Sequence, residues 1–124
     1  MNTFLKQERL CGKQQIDILF EHGKKFKNSS FLVIWQEIKD ELLYPVTALV
    51  SIPKRKISKA TQRNRLKRLI KECYRKEKKS LYDFLSIKGK KIKLAIIYQK
   101  SSSISYKELD SEIKLIINRL KNKL

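Results

Sequence analysis

Glycine and proline are nearly missing from this chain, at three and two among 124 residues. Their scarcity leaves no Gly-rich phosphate loop and no stretch that reads as an interdomain linker, and no repeat period appears. Cysteine is as rare. Cys11 and Cys73, with the single His22, make neither a disulfide framework nor a zinc ligand set, and a reduced, cytoplasmic protein is expected. No apolar run approaches the roughly 18 residues of a membrane-spanning helix. The opening segment MNTFLKQERLCGK lacks the apolar centre of a secretory signal, and Glu8 interrupts any amphipathic transit pattern. The last shortage is of acids: 12 Asp or Glu stand against 30 Lys or Arg, for a net charge of +18.

What is present is a folding chain. An apolar fraction of 41% suits a packed domain rather than a disordered basic tail, and residues 1–124 fit a single domain with a core of its own. A cationic excess of this size points to a polyanionic partner, nucleic acid or an anionic surface.

Local patterns give the elements. KQQIDILFEHG reads as a first helix, with Ile16, Leu19 and Phe20 on one face and Gly23 placed for a left-handed cap. SFLVIWQEI and VTALVSI are β-branched and aromatic and read as strands, separated by the polar turn KDELLYP. A basic loop, KRKISK, follows Pro53. A helix then opens near Ser58 or Thr61 and is expected to run to about Lys79, with Leu66, Leu69, Ile70 and Cys73 as its apolar stripe. KIKLAIIYQ is a mostly apolar strand expected at the centre of a sheet. In the last helix Ser105 and Glu108 have capping-box spacing, Ile104 and Leu109 are placed for a hydrophobic staple, and Leu109, Ile113, Ile116, Ile117 and Leu120 share a face. The order is helix, two or three strands, helix, strand, helix: an α/β class chain (an α+β sandwich of helices on a sheet).

The charge is concentrated. Residues 54–79 carry thirteen Lys or Arg and only Glu72 and Glu77 as acids. On a helical projection with Leu66 at zero, Lys67, Arg68, Lys71, Arg75 and Lys79 fall between roughly 100° and 220°, opposite the apolar stripe. A solvated face of a lysine-rich protein would also put cations outward. Two features speak against that reading. Acids at i±4 are nearly absent, so the cations repel one another. Arginines also crowd the helix start, where the macrodipole disfavours them but where free N–H groups and guanidinium would together receive phosphate.

The segment KRKISKATQRNRLKRLIKECYR resembles the signature of the bacterial ribonuclease P protein subunit, an Arg-Asn-Arg core followed by a Lys-Arg pair. The matching residues are Arg63, Asn64, Arg65, Lys67 and Arg68, preceded by Arg55, Lys56, Lys59 and Ala60, with Lys71 continuing the face. ILFEHGKKFKNSSFLV is similar to the family's N-terminal helix and first strands, and SISYKEL to the start of its last helix. The resemblance implies an α-β-β-β-α-β-α fold, like a domain of a small-subunit ribosomal protein, with a left-handed crossover around the basic helix. It further implies a catalytic RNA partner that requires Mg2+ and removes the 5′ leader of precursor tRNA. This chain would bind the RNA through the basic helix and receive the leader in a cleft between the first helix and the sheet. In a one-protein, one-RNA holoenzyme the protein is monomeric and binds no cofactor itself. The family commonly has two aromatics on the first helix; Ile16 and Phe20 occupy those places here, and Ile34 stands where a strand tyrosine does. Ser58 replaces a glycine. By periodicity alone Phe20 reads as core. Strand parity puts Phe31, Val33 and Trp35 on one face and Leu32, Ile34 and Gln36 on the other.

Protein-borne hydrolysis would need a metal-holding carboxylate cluster or an acid–base pair. Glu108, Asp110 and Glu112 are the best candidates, but acids in a first helical turn are accounted for by the dipole and the capping box. Asp40 and Glu41 sit in a turn, and His22 is alone. Cys73 lies on the apolar stripe and reads as a small core residue. The alternative of a ribosomal-type structural RNA-binding protein shares charge and fold but has no need of the Arg-Asn-Arg context. A helix-turn-helix DNA binder would require two adjacent helices, and a membrane-surface helix larger apolar residues beside its lysines.

Overall fold

A computed structural model describes Leu10, residues 12–39 and residues 45–124. Cys11, Asp40 and Glu41 lie outside the described residues, as does most of the KDELLYP turn. The elements run α1 (Lys13–His22), β1 (Lys24–Asn28), β2 (Phe31–Ile38), β3 (Val46–Ser51), α2 (Ala60–Lys88), β4 (Lys91–Tyr98) and α3 (Tyr106–Lys123). The four strands form one mixed sheet in the order β1-β2-β4-β3. β1 pairs antiparallel with β2 and β2 with β4, whereas β3 runs parallel to β4. Parallel neighbours require a crossover, and α2 supplies it.

Register divides the sheet into two faces. Phe31, Val33 and Trp35 sit opposite Tyr98, Ile96 and Leu94, and with Val46, Ala48 and Val50 they form the large core under α2 and α3. α2 contributes Leu66, Ile70, Cys73, Leu81 and Leu85 to that core, and α3 contributes Leu109, Ile113, Ile116, Ile117 and Leu120. The five α3 side chains alone bury on the order of 10 kcal/mol of gross hydrophobic free energy, before ordering entropy is subtracted. On the other face Leu10, Leu19, Ile34, Ala95 and Ile97 make a smaller core, with Ile16, Leu32 and Leu49 at its margin. As expected for a central strand, β4 is buried along most of its length.

The Ser105 hydroxyl accepts from the Glu108 N–H (3.2 Å), so α3 begins where the capping residues place it. Three local expectations are corrected. First, α2 does not stop at Lys79. Leu81 and Leu85 prolong its apolar stripe to Lys88, and Gly89 at φ 66 provides the left-handed cap. Second, Gly23 ends α1 in extended backbone (φ −71, ψ 154), not in the left-handed region. Glycine is needed there for space, because a Cβ would come within 2.5 Å of the Leu19 carbonyl and 2.7 Å of the Ile34 side chain. Third, Phe20 is not core. It is 36% exposed, while Leu19 beside it is fully buried.

Glu112 joins the last helix to the first hairpin. The turn between β1 and β2 holds Ser29 at φ 47, an uncommon conformation for a non-glycine residue. The next residue, Ser30, donates its N–H to Glu112 Oε1 and its hydroxyl to Oε2, both at 2.8 Å. Nearby, the Arg119 guanidinium donates to the Lys27 carbonyl (2.6 Å) and stacks 4.3 Å from the Phe26 ring centroid. Both contacts hold β1 against α3.

Candidate nucleic-acid interface

The loop ahead of α2 is an ordered turn. Its one apolar residue, Ile57, is buried among the core residues, and the Pro53 carbonyl accepts from the N–H groups of Lys56 (3.0 Å) and Ile57 (3.2 Å). With the chain pinned at Pro53 and Ile57, Arg55 and Lys59 are left exposed and Lys56 half-exposed. α2 then starts after Lys59 with no side-chain cap and no acid in its first turn. Its first N–H groups therefore have no side-chain acceptor, which leaves positive potential at this helix end.

Arg63, Asn64 and Arg65 leave the helix about 100° apart and serve three different surfaces. Arg63 points back to the loop: its Nη1 donates to the carbonyls of Ile57 (3.0 Å) and Ser58 (2.7 Å). Through this one nitrogen it braces the loop, while Nη2 and Nε take no part in the brace. Asn64 opens onto a shallow depression lined with Lys67, Arg68, Lys71, Glu72 and Arg75. Arg65, exposed, turns to the opposite flank of the helix, toward the segment that precedes α3.

The charge along α2 is divided in two. Its C-terminal half is compensated: Arg75 pairs with Glu72, Lys76 with Asp110 at 3.6 Å, and Lys79 with Asp83 at 3.0 Å. The hydrogen bond from Arg75 holds the Glu72 carboxyl below its ordinary pKa, so the acid stays ionised opposite its partner. Toward the N-terminus the pattern changes. Among the described residues, no carboxylate lies within 4.0 Å of Lys54, Arg55, Lys56, Lys59, Arg65, Lys67 or Arg68. Two like charges about 6 Å apart repel by roughly 0.7 kcal/mol even at the dielectric of water. The uncompensated cluster thus carries a standing cost that an anion would relieve.

The α1 face of the sheet is the second candidate surface. Ile16 is half-buried at its margin, Phe20 is exposed, and Ile34 is only 2% exposed beneath α1. Trp35 is on the far side, buried, with the Lys24 ammonium 5.1 Å from its ring centroid. Beyond α1 the register aligns Lys25 with Ile34, Lys27 with Leu32, and Lys93 with Gln36 and Thr47 on this same face. These lysines were not singled out in the sequence, although their period-2 spacing relative to Leu32 and Ile34 was there to be read.

Two of the three α3 carboxylates are engaged elsewhere. Asp110 pairs with Lys76 and Lys114, and Glu112 receives Ser30, whereas Glu108 meets the cap through its backbone N–H and its side chain is exposed. Among the described residues no three His, Cys, Asp or Glu side chains cluster as a metal site. Cys73 is fully buried, and desolvation pushes its thiol pKa up. No helix of the described residues is long and apolar enough to cross a membrane.

Fold and charge define a small, strongly basic α+β protein. A family model described as Ribonuclease P matches residues 4–121, and the chain belongs to that family. It is 34% identical over 93 residues to the ribonuclease P protein component of Thermotoga maritima, covering 73% of this chain and 76% of that one. It is 28% identical over 131 aligned positions to the component of Chlorobium phaeobacteroides, covering 98% and 90%. Among solved structures, the Staphylococcus aureus RNase P protein superposes with a TM-score of 0.75 at 16% identity, covering 92% of this chain and 95% of that one. The Thermotoga maritima protein gives 0.69 at 22%, covering 90% and 96%. At those identities the structural likeness speaks to the fold, which is the α-β-β-β-α-β-α order described above.

Proposed function

We propose that this chain is the protein subunit of ribonuclease P, binding the catalytic RNA through the N-terminal half of α2 and the loop before it, and assisting removal of the 5′ leader from precursor tRNA. The observation that carries this reading is the segregation of charge on α2, compensated at one end and uncompensated at the other. Arg55, Lys56, Lys59, Arg63, Asn64, Arg65, Lys67, Arg68 and Lys71 contact RNA, and Arg63 also holds the loop in register with the helix through its Nη1. The leader lies along the α1 face, past Ile16 and Phe20, with Lys25, Lys27 and Lys93 near its phosphates. Ile34 forms the floor under α1 and sets the depth of that trough without presenting its own side chain. The bond-breaking chemistry resides in the RNA subunit. Mg2+ is held there as well, with Asp110 and Glu112 of this chain committed to an ion pair and to the hairpin turn.

Reconstitution tests the reading. RNA-free protein should leave precursor tRNA intact at any magnesium concentration, and adding it to a bacterial ribonuclease P RNA should lower the magnesium needed for correct cleavage. Affinity for that RNA should fall with salt at a log–log slope of roughly −0.7 to −0.9 per phosphate neutralised. Accurate cleavage by the protein alone, or a flat salt response, would overturn it.

A further inference from the structure

Arg65 stands apart from the other cations of α2. On the projection used above it lies near 260°, about 60° beyond Arg68 and on the far side from Lys67. There it rims a groove of about 640 Å³ between the first turns of α2 and the segment leading into α3. Leu66, Leu69 and Ile104 give the groove an apolar floor, serines 101–103 and Tyr106 form its wall, and among the described residues no acidic side chain lines it.

The wall is held in place from inside the fold. The hydroxyl of Tyr98, a fully buried residue of β4, donates to the Ser102 carbonyl at 2.6 Å. Tyr106 is fixed from outside by the Lys76 ammonium, 5.1 Å from its ring centroid, and Lys76 is in turn paired with Asp110. A pre-formed groove with an apolar floor, one guanidinium and a row of exposed hydroxyls does not match a duplex backbone, which offers phosphates and ribose hydroxyls but no apolar face. It matches a splayed-out nucleotide, whose base needs an apolar or aromatic surface and whose phosphate needs a cation.

We propose that this groove receives one unpaired nucleotide of the RNA subunit, with its phosphate on Arg65 and its base on the Leu66–Leu69–Ile104 floor; this rests on α2 being the RNA-binding helix. Serine hydroxyls both donate and accept, so the groove holds a base without choosing which. The RNA then grips the start of α2 from two sides: its backbone on the Asn64–Lys67–Arg68 flank, and one base on the Arg65 flank.

The test uses full-length protein carrying a benzophenone amino acid at Ser102, bound to ribonuclease P RNA and irradiated. The expected crosslink falls on one unpaired nucleotide. RNA made abasic at that position should bind at least fivefold more weakly, while all four bases there bind within twofold of one another. Ser102→Asp should weaken binding about tenfold or more with an unchanged melting temperature, since Ser102 is exposed. The proposal fails if Ser102→Asp binds normally, if the crosslink maps to a base-paired helix, or if the abasic RNA binds normally. It also fails if a probe at Asn64 crosslinks and one at Ser102 does not, which would leave α2 as the RNA-binding helix and the groove empty. Failure of wild-type protein to bind the RNA at all would instead remove the underlying reading of α2.

Discussion

Arg65→Ala and Lys79→Ala each remove one exposed cation from the same helix, and the proposed interface gives them very different consequences for RNA binding. Among the described residues Arg65 has no carboxylate partner, and it sits near the start of α2, which has no side-chain cap there. A charge-assisted contact of its kind contributes about 1.5–3 kcal/mol, so its loss should weaken affinity for the RNA roughly 10- to 100-fold. Lys79 lies fourteen residues on, about 21 Å along the axis. A unit charge at that distance contributes roughly 0.2 kcal/mol in water, before screening over a Debye length of about 8 Å reduces it further. Asp83, 3.0 Å away, cancels much of what remains. Lys79→Ala should therefore change affinity less than about twofold. Neither side chain packs in the core, so both variants should melt within about 0.5 kcal/mol of wild type. Parallel titrations against ribonuclease P RNA at one ionic strength, with thermal melts of each free protein, make the comparison. Equal losses of affinity would refute the division of α2 into a binding and a compensated half.

Arg63→Met should behave unlike Arg65→Ala. It removes both braces of the loop and should cost about 1–3 kcal/mol in urea unfolding, with RNA affinity falling as the loop loosens; an unchanged stability would show that the brace is dispensable. Glu112→Ala leaves the Ser30 N–H and hydroxyl buried without acceptors and should destabilise by about 2–4 kcal/mol, with increased amide exchange across the β1–β2 hairpin as its local signature. Gly23→Ala forces a methyl against the Leu19 carbonyl and Ile34 and should cost about 1–3 kcal/mol by chemical denaturation, although the backbone angles there suit alanine; a neutral outcome would mean that α1 shifts freely on the sheet.

Much of the fold was legible because it is written in short-range chemistry. The Ser105–Glu108 cap, the α3 stripe and the apolar run of β4 are local signals, and each forms where the pattern places it. β1 was not legible from its own residues. KKFKN has no strand character beyond Phe26, and it is a strand because β2 pairs with it and α3 holds it through Arg119 and Glu112. Those partners are about 80 to 90 positions away in the chain. The end of α2 could have been read further, since Leu81, Leu85 and Gly89 continue the stripe and supply the cap, but the end of the lysine-rich run at Lys79 obscured it. At the site, the composition of the cluster was plain and its aim was not. That Arg63 faces inward to carbonyls and Arg65 faces a serine-lined groove depends on where the Pro53 loop and the Tyr98-anchored segment come to rest.

The strand order also bears on how the chain comes together during synthesis. β2 and β3 never touch, and each waits for β4 to insert between them. Until residues 91–98 leave the ribosome, the emerging protein holds α1, a hairpin, a lone strand and a highly cationic helix, and the two strand edges that β4 will join are unpaired. Open edges of this kind are exposed to wrong pairing, and the cationic excess of residues 1–90, 22 Lys or Arg against 9 Asp or Glu, would also keep such intermediates apart by repulsion. The same charge would draw them to any RNA within reach. For this chain, assembly with RNA and completion of the sheet can therefore compete in time, and the arrival of β4 decides when the basic helix is held in a fixed orientation.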